Sequence, residues 1–232
     1  MSEVRQGLEL PKVIVIGRTF DEYVRMLDLT MEDVTRLKIL DVPAGACSFA
    51  AEANAMGGSV TAADIAYYHS SDDLLKKGKD DIGLAITGIS KVMEHYKWDY
   101  FRDLEALERH RLQVLEKFAD HRKASLESYV PCVLPELPFA DGEFDMTVSA
   151  HFLFTYADRL DHDFHLNTIR ELLRVTKKEV RIFPLVDQTG HKYGKMESLK
   201  EFIQGLGWST EERDVPYEFQ RNANSMLRIF QP

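Results

Sequence analysis

A net charge of −9, from 38 acidic against 29 basic side chains over 232 residues, argues against nucleic acid as the main partner, because phosphate contacts need a basic surface. The length suits one large domain that buries its own core, and 44% apolar with 29% charged residues is ordinary for a globular chain. No apolar run approaches the roughly 20 residues of a membrane span. MSEVRQGLEL does not resemble a secretion signal, and Cys47 and Cys132 are too few for a disulfide framework, so a cytoplasmic protein without a membrane partner is expected.

Residues 1–37 read as a helical cap. Val13–Ile16 is a short apolar, strand-like piece. Phe20, Tyr23, Val24 and Leu27 then fall at i, i+3, i+4 and i+7, the spacing of an amphipathic helix, with Thr19 as its N-cap and Glu22 completing a capping box. A further helical turn starts at Thr30, ahead of Glu32 and Asp33. From residue 38 the pattern changes to strand, helix, strand: KILDV, SFAAEANAMGG with Gly57 and Gly58 as its stop, and SVTAAD. This is a βαβ unit, which implies a parallel sheet.

Residues 69–128 are helical in character and highly charged, and sixty residues exceed one crossover helix. The spacing predicts an insertion of two or three helices, placed as a lid over one edge of the sheet. Leu104, Leu107, Leu115 and Phe118 form its apolar stripe. The alternation then resumes with YVPCVLPELPF as a strand running into a Pro-rich loop and FDMTVSAHFLF as a buried strand ending near Ser149. DFHLNTIRELLRVTKK reads as a helix, EVRIFPLVD as a strand, KMESLKEFIQGLG as a helix, and STEERDVPYEF with SMLRIFQP as a closing antiparallel pair. The whole reads as a single α/β domain over residues 1–232.

In an open α/β sheet, ligands bind beyond the carboxyl ends of the strands. The loop Pro43–Ser48 falls there, flanked by Asp41 at the end of the first strand and Asp64 at the end of the second. A carboxylate at the Asp64 position suits a ribose, whose two hydroxyls both donate to it. A dinucleotide needs G-x-G-x-x-G for its pyrophosphate, whereas this loop has Gly45 alone, and Asp41 would repel a pyrophosphate. The same negative charge favours a cationic sulfonium cofactor, S-adenosylmethionine.

On ILDVPAGACSF, VTAAD and LPELPFADGEFDMTVSAHFLF, the sequence resembles the class I S-adenosylmethionine-dependent methyltransferases over residues 38–68 and 129–230. The resemblance implies a Rossmann-like, doubly wound, mostly parallel seven-stranded sheet with an antiparallel C-terminal strand. Pro43 and Cys47 stand where that family usually has glycine, and Cys132 or Val133 occupies the neighbourhood of a family acid that contacts the adenine amino group. The expected cofactor-binding set is Asp41, Pro43, Ala44, Gly45, Asp64, Ile65, Val133, Leu134 and Ser149. Ile65 is a candidate for the adenine face or for plain core filling, and Asp41 for contact with the cofactor or with the loop amides.

His151 follows the fourth strand and is the candidate general base, against a structural histidine at a strand end. Arg111 reads as a side chain snorkelling at the rim of an apolar face, in preference to a clamp on an acceptor anion. Phe20, Tyr23, Tyr67 and Tyr68 are candidates for pocket walls or core. The acids of DRLDHDFH suit a helix N-terminus better than a metal site, and no metal is expected. Methyl transfer to a small-molecule acceptor is therefore the expected function, under a closure formed by residues 19–29 and 69–128, with a second copy of the chain as a candidate partner in a homodimer. The alternatives are a catalytically silent binding protein on the same fold and, ranked below it, an NAD-linked oxidoreductase.

Overall fold

Strands β1 (Lys38–Asp41), β2 (Ser59–Asp64), β3 (Tyr129–Pro131), β4 (Phe144–Ala150), β5 (Thr176–Phe183), β6 (Ser209–Asp214) and β7 (Ser225–Phe230) form one sheet in the computed structural model, which describes residues 14–232. Their order is β3-β2-β1-β4-β5-β7-β6. The first five are mutually parallel, while β7 runs antiparallel between β5 and β6. The sheet is thus Rossmann-like and doubly wound, with strand order reversing between β1 and β4.

Both faces of the sheet are covered, so its central strands are apolar on both sides. Ile39, Val60, Met146 and Val148 join the core on one face, together with Tyr23 and Phe49. Leu40, Val180, Ile182 and Leu227 join the other, with Leu172 and Leu199. Neighbours in a strand point to opposite faces, which is why Ile39 and Leu40 belong to different clusters. The two edges differ in kind. β3 is only three residues long, whereas β6 carries Glu211, Glu212, Arg213 and Asp214, with Glu211 and Glu212 tied by ion pairs to Arg213, Arg228, Lys192 and Lys200.

Helices α1 (Phe20–Met26) and α2 (Met31–Arg36) form where expected, each with a complete capping box, Thr19 with Glu22 and Thr30 with Asp33. Ile14–Ile16 is not a strand but an irregular segment that leads to Gly17 and Arg18 against the loop after β1, and Val13 lies outside the described residues. Gly17 makes that crossing feasible, since a Cβ there would overlap the Ala46 carbonyl. α3 (Phe49–Ala55) links β1 to β2, and Gly57 stops it at a φ of 85°.

The long crossover from β2 to β3 holds α4 (Ser71–Ile89) and α5 (Leu104–Ala124), which pack on each other with Gly78 against Leu115. α6 (His162–Val175) ends earlier than its pattern suggests: Thr176–Lys178 belong to β5, so helix and strand join without a loop. The Thr176 hydroxyl explains the switch, donating to the Leu172 carbonyl and meeting Thr147 of β4 at 2.6 Å. α7 (Met196–Gly205) precedes β6, and Gly207 turns the chain at a φ of 85°.

Arg111 overturns its expected place at the rim. It is 4% exposed and pairs through both terminal nitrogens with Glu22, which is fully buried, at 2.6 and 2.8 Å. Arg111 also donates to the Gly17 carbonyl at 3.1 Å, and Tyr217 donates to Glu22 at 2.7 Å. Burial on its own would raise the Glu22 carboxyl, but the adjacent guanidinium outweighs it and holds the group near 2. Removing one partner strands a buried charge. Arg111→Met is expected to cost about 3–5 kcal/mol in urea unfolding, and the double variant with Glu22→Gln less than the sum of the two single losses.

Candidate functional site

The loop after β1 lies at the point where strand order reverses. Its Val42 amide donates to Val148 of β4 and its Ala44 amide to Ala63 of β2, so the turn is stitched to both neighbouring strands. Gly45 follows at a φ of 56°, a left-handed conformation that suits glycine, and a Cβ there would meet nothing within 4 Å. Asp64 braces this turn from the end of β2. One carboxylate oxygen accepts the Gly45 amide at 2.8 Å and the other the Ala66 amide at 2.7 Å. The Tyr67 hydroxyl donates to the Gly45 carbonyl at 2.8 Å.

A cavity of about 300 Å³ opens above this loop, bordered by Pro43, Ala44, Gly45, Asp64, Ile65, Val133 and Leu134 of the expected cofactor set and by His151, the candidate base. Ile65 is 59% exposed, which rules out plain core filling. Asp41 and Ser149 do not reach the cavity. Both side chains are buried below it, each with an oxygen that lacks a hydrogen-bond partner. Nor does Asp41 hold the loop amides. It accepts the Tyr23 hydroxyl at 3.1 Å, and the amide-holding role belongs to Asp64. Phe20, Tyr23, Tyr67 and Tyr68 also stand outside the cavity lining. The remaining walls come from the 14–18 segment, α4, α5 and Tyr96 between them, Cys132 after β3, the loop after β4, Gln188 after β5 and the loop between β6 and β7.

Cys47 has a structural role that its glycine-like position conceals. Its sulfur accepts the Arg18 amide at 3.2 Å and lies 3.3 Å from the Tyr23 hydroxyl, fastening the 14–18 segment and α1 to the loop. Burial pushes its thiol up to about 12, so it stays protonated.

Among the lining residues that sequence reasoning passed over, alongside Tyr96, Tyr156, Gln188 and Gln220, three stand out. Arg18 lines it, and among the described residues its guanidinium makes only two long hydrogen bonds, to the Ile16 and Gly17 carbonyls at 3.3 and 3.4 Å. Tyr217 reaches in from the loop after β6, and Thr155 carries a buried hydroxyl without a partner. A lone arginine directly before an N-cap was the one signal available for Arg18; nothing local marks the other two. His165 and His162, the histidines of the acid-rich segment, bond instead to carbonyls of Asp161 and Leu153 and to the hydroxyls of Tyr193 and Ser198. Among the described residues no cluster of histidine, cysteine and acid side chains is arranged to hold a metal ion.

His151 adopts a φ of 55°, uncommon for a residue with a side chain, while its amide donates to the Phe183 carbonyl at 2.6 Å. Burial lowers its imidazole well below the usual histidine range; Arg18 and Arg111 add to that, and Glu22 opposes it. The ring is therefore neutral near pH 7. Burial raises the Asp64 carboxyl against its two amide bonds. It raises Asp41 further, to about 8, which disfavours at neutral pH the negative charge expected at the end of β1.

A carboxyl raised from 3.8 to about 8 keeps a proton in the folded state that the unfolded chain has lost, so its contribution to stability falls as pH rises through that window. The slope reaches at most about 1.4 kcal/mol per pH unit. Asp41→Asn removes this dependence. In urea unfolding from pH 5 to pH 8, the variant is expected to gain stability over the parent steadily as the pH increases.

No protein-family model matches the chain. It is 33% identical over 226 residues to the uncharacterized protein MJ0045 of Methanocaldococcus jannaschii, an alignment that covers 96% of this chain and 98% of that one. Among solved structures it superposes on magnesium protoporphyrin IX methyltransferase of Synechocystis PCC 6803, crystallised with bound S-adenosylhomocysteine, at a TM-score of 0.51 and 11% identity. That match covers 92% of this chain and 81% of the other. The agreement is one of fold, with strand order and the reversed seventh strand in common with the class I architecture. The chain belongs to the family of MJ0045, and it is built on the fold of the class I S-adenosylmethionine-dependent methyltransferases.

Proposed function

We propose that this protein is an S-adenosylmethionine-dependent methyltransferase that acts on a small-molecule acceptor. One observation carries the reading: Asp64, Gly45 and the exposed Ile65 border a single cavity at the carboxyl ends of β1 and β2, where strand order reverses. Asp64 keeps lone pairs free on both oxygens, since each accepts only one amide, and these suit ribose hydroxyls. Ile65 and Val133, both exposed apolar side chains, suit the two sides of an adenine. Gly45 leaves open space where a Cβ would project. Arg18, free of any carboxylate among the described residues, suits the carboxylate of the cofactor's amino-acid end.

The cofactor, when bound, would supply an activated methyl group on a sulfonium, ready for transfer to an acceptor lone pair. The chain's part is to align the acceptor and keep water out, with α4, α5 and the 14–18 segment as walls and lid. His151, neutral and bordering the cavity, suits the role of the base that takes the acceptor's proton.

Calorimetric titration with S-adenosylmethionine or S-adenosylhomocysteine tests the reading, and absence of heat at millimolar concentration would sink it. Asp64→Ala is expected to weaken binding at least about tenfold, or about 1.4 kcal/mol. Arg18→Met is expected to weaken S-adenosylhomocysteine more than it weakens decarboxylated S-adenosylmethionine, which lacks the carboxylate.

A further inference from the structure

Arg122, in the last turn of α5, is 4% exposed, and among the described residues it has no carboxylate partner. Its Nη2 donates to the Tyr67 carbonyl at 2.8 Å and to the His69 carbonyl at 2.9 Å, and its Nη1 to the Ser71 hydroxyl at 3.1 Å. Its Nε is buried without a partner. The guanidinium carbon stands 5.3 Å from the centre of the Tyr67 ring. A buried cation matched only by neutral acceptors is costly, and an apolar side chain in the same slot would often be as stable. What the guanidinium adds is a fixed grip on what it touches.

That grip falls on the 3₁₀ turn Ile65–Tyr68, which follows β2. Asp64 caps the start of the turn by accepting the Ala66 amide, and Arg122 takes the carbonyls at its end. A carboxylate at the amide end and a cation at the carbonyl end both suit the turn's dipole. Two residues of the turn serve the candidate site: Ile65 borders the cavity, and the Tyr67 hydroxyl donates to the Gly45 carbonyl at 2.8 Å. Gly45 has no Cβ to confine its dihedrals. Its two flanking peptide planes are fixed from outside instead, one by Asp64 through the Gly45 amide and the other by Tyr67 through the carbonyl. Burial, with Asp64 adding to it, pushes the Tyr67 phenol well above its usual range, so the hydroxyl keeps the proton it donates. Asp64, Ile65 and Gly45 thus share one support, and Arg122 anchors it to the neighbouring helix.

We infer that Arg122 is a positioning residue of the cofactor site: it sets the turn that presents Asp64 and Ile65 and, through the Tyr67 hydroxyl, the Gly45 peptide. The inference rests on the methyltransferase reading and extends it to a residue outside the cavity lining. It also gives the long crossover a second purpose. Arg111 fixes the middle of α5 to Glu22. Arg122, about three turns further on and so on the same face, fixes the end of α5 to the turn after β2. Leu107 and Arg111 of this helix border the cavity, so one rigid element spans a cavity wall and the nucleoside end of the site.

Calorimetric titration of the full chain with two probes tests the inference: S-adenosylhomocysteine, and 5′-methylthioadenosine, which keeps the nucleoside and thioether but lacks the amino-acid end. Arg122→Met is expected to weaken both probes by the same factor, at least about fivefold. Arg122→Lys keeps the charge but loses the fork; it is expected to show a smaller loss of the same kind, and it replaces Arg122→Met throughout if that variant does not fold. Tyr67→Phe removes only the hydroxyl. Combined with Arg122→Met, it is expected to lose less than the product of the two single losses, because both act on Gly45. Circular dichroism at the titration temperature reports that each variant is folded. Lowered urea stability with unchanged affinity for both probes, a loss confined to S-adenosylhomocysteine, or fully multiplicative losses with Tyr67→Phe each overturns the inference and leaves the cofactor reading standing. Failure of the parent chain to bind S-adenosylhomocysteine removes both.

Discussion

The buried ion pair between Arg111 and Glu22 is the constraint on which the site depends. It joins the middle of α5, the first turn of α1, the Gly17 carbonyl and the Tyr217 hydroxyl, four pieces of chain that no strand pairing connects. Two charges withdrawn from water are expensive, and an apolar replacement of equal volume is often as stable. What the pair supplies is position: with both forks engaged, Glu22 has one geometry, and the 14–18 segment, the crossover helices and the C-terminal loop are fixed around it. Those are the parts of the chain that enclose the cavity above the sheet. Glu22 serves twice, since one of its oxygens also accepts the Thr19 amide as the return arm of the capping box.

The loop after β1 shows a related economy. It lacks the run of glycines that usually lets a backbone bend around a nucleoside, yet it bends. Gly45 supplies the left-handed residue, and Asp64 holds the Gly45 amide in place from the next strand. Cys47, unexpected where glycine is usual, supplies a weak acceptor that ties down the segment crossing above it. The shape that glycine makes possible elsewhere is here imposed by side chains from neighbouring elements.

Much of the fold was legible because it is written in local pattern. Alternation of strand and helix gave the parallel sheet, and the Thr19–Glu22 spacing gave the first helix and its cap. Failures occurred where the deciding contact lies far away in sequence. Arg111 shares an apolar stripe with Leu107 and Phe118, and nothing near it reveals a carboxylate 89 residues earlier. In β4, alternation says that Ser149 and Ala150 face opposite ways but not which of them faces the cavity, and Ala150 does. Asp41 sits at the strand end as expected, but its ionisation depends on burial, which a sequence does not display. The helical pattern of α6 runs on into Thr176–Lys178 because both states tolerate those residues, and a cross-strand threonine contact decides between them.

The two rims of the sheet bear on how copies of this chain can meet. Unpaired strand edges are templates for another backbone, and proteins blunt them by brevity or by charge. β3 uses the first device, with three residues ending in proline, and β6 the second, with four consecutive charged residues. Neither edge offers a foreign strand a long, flat, uncharged ladder to extend. Among the described residues the sheet therefore ends at seven strands, with both of its edges blunted against the addition of another backbone.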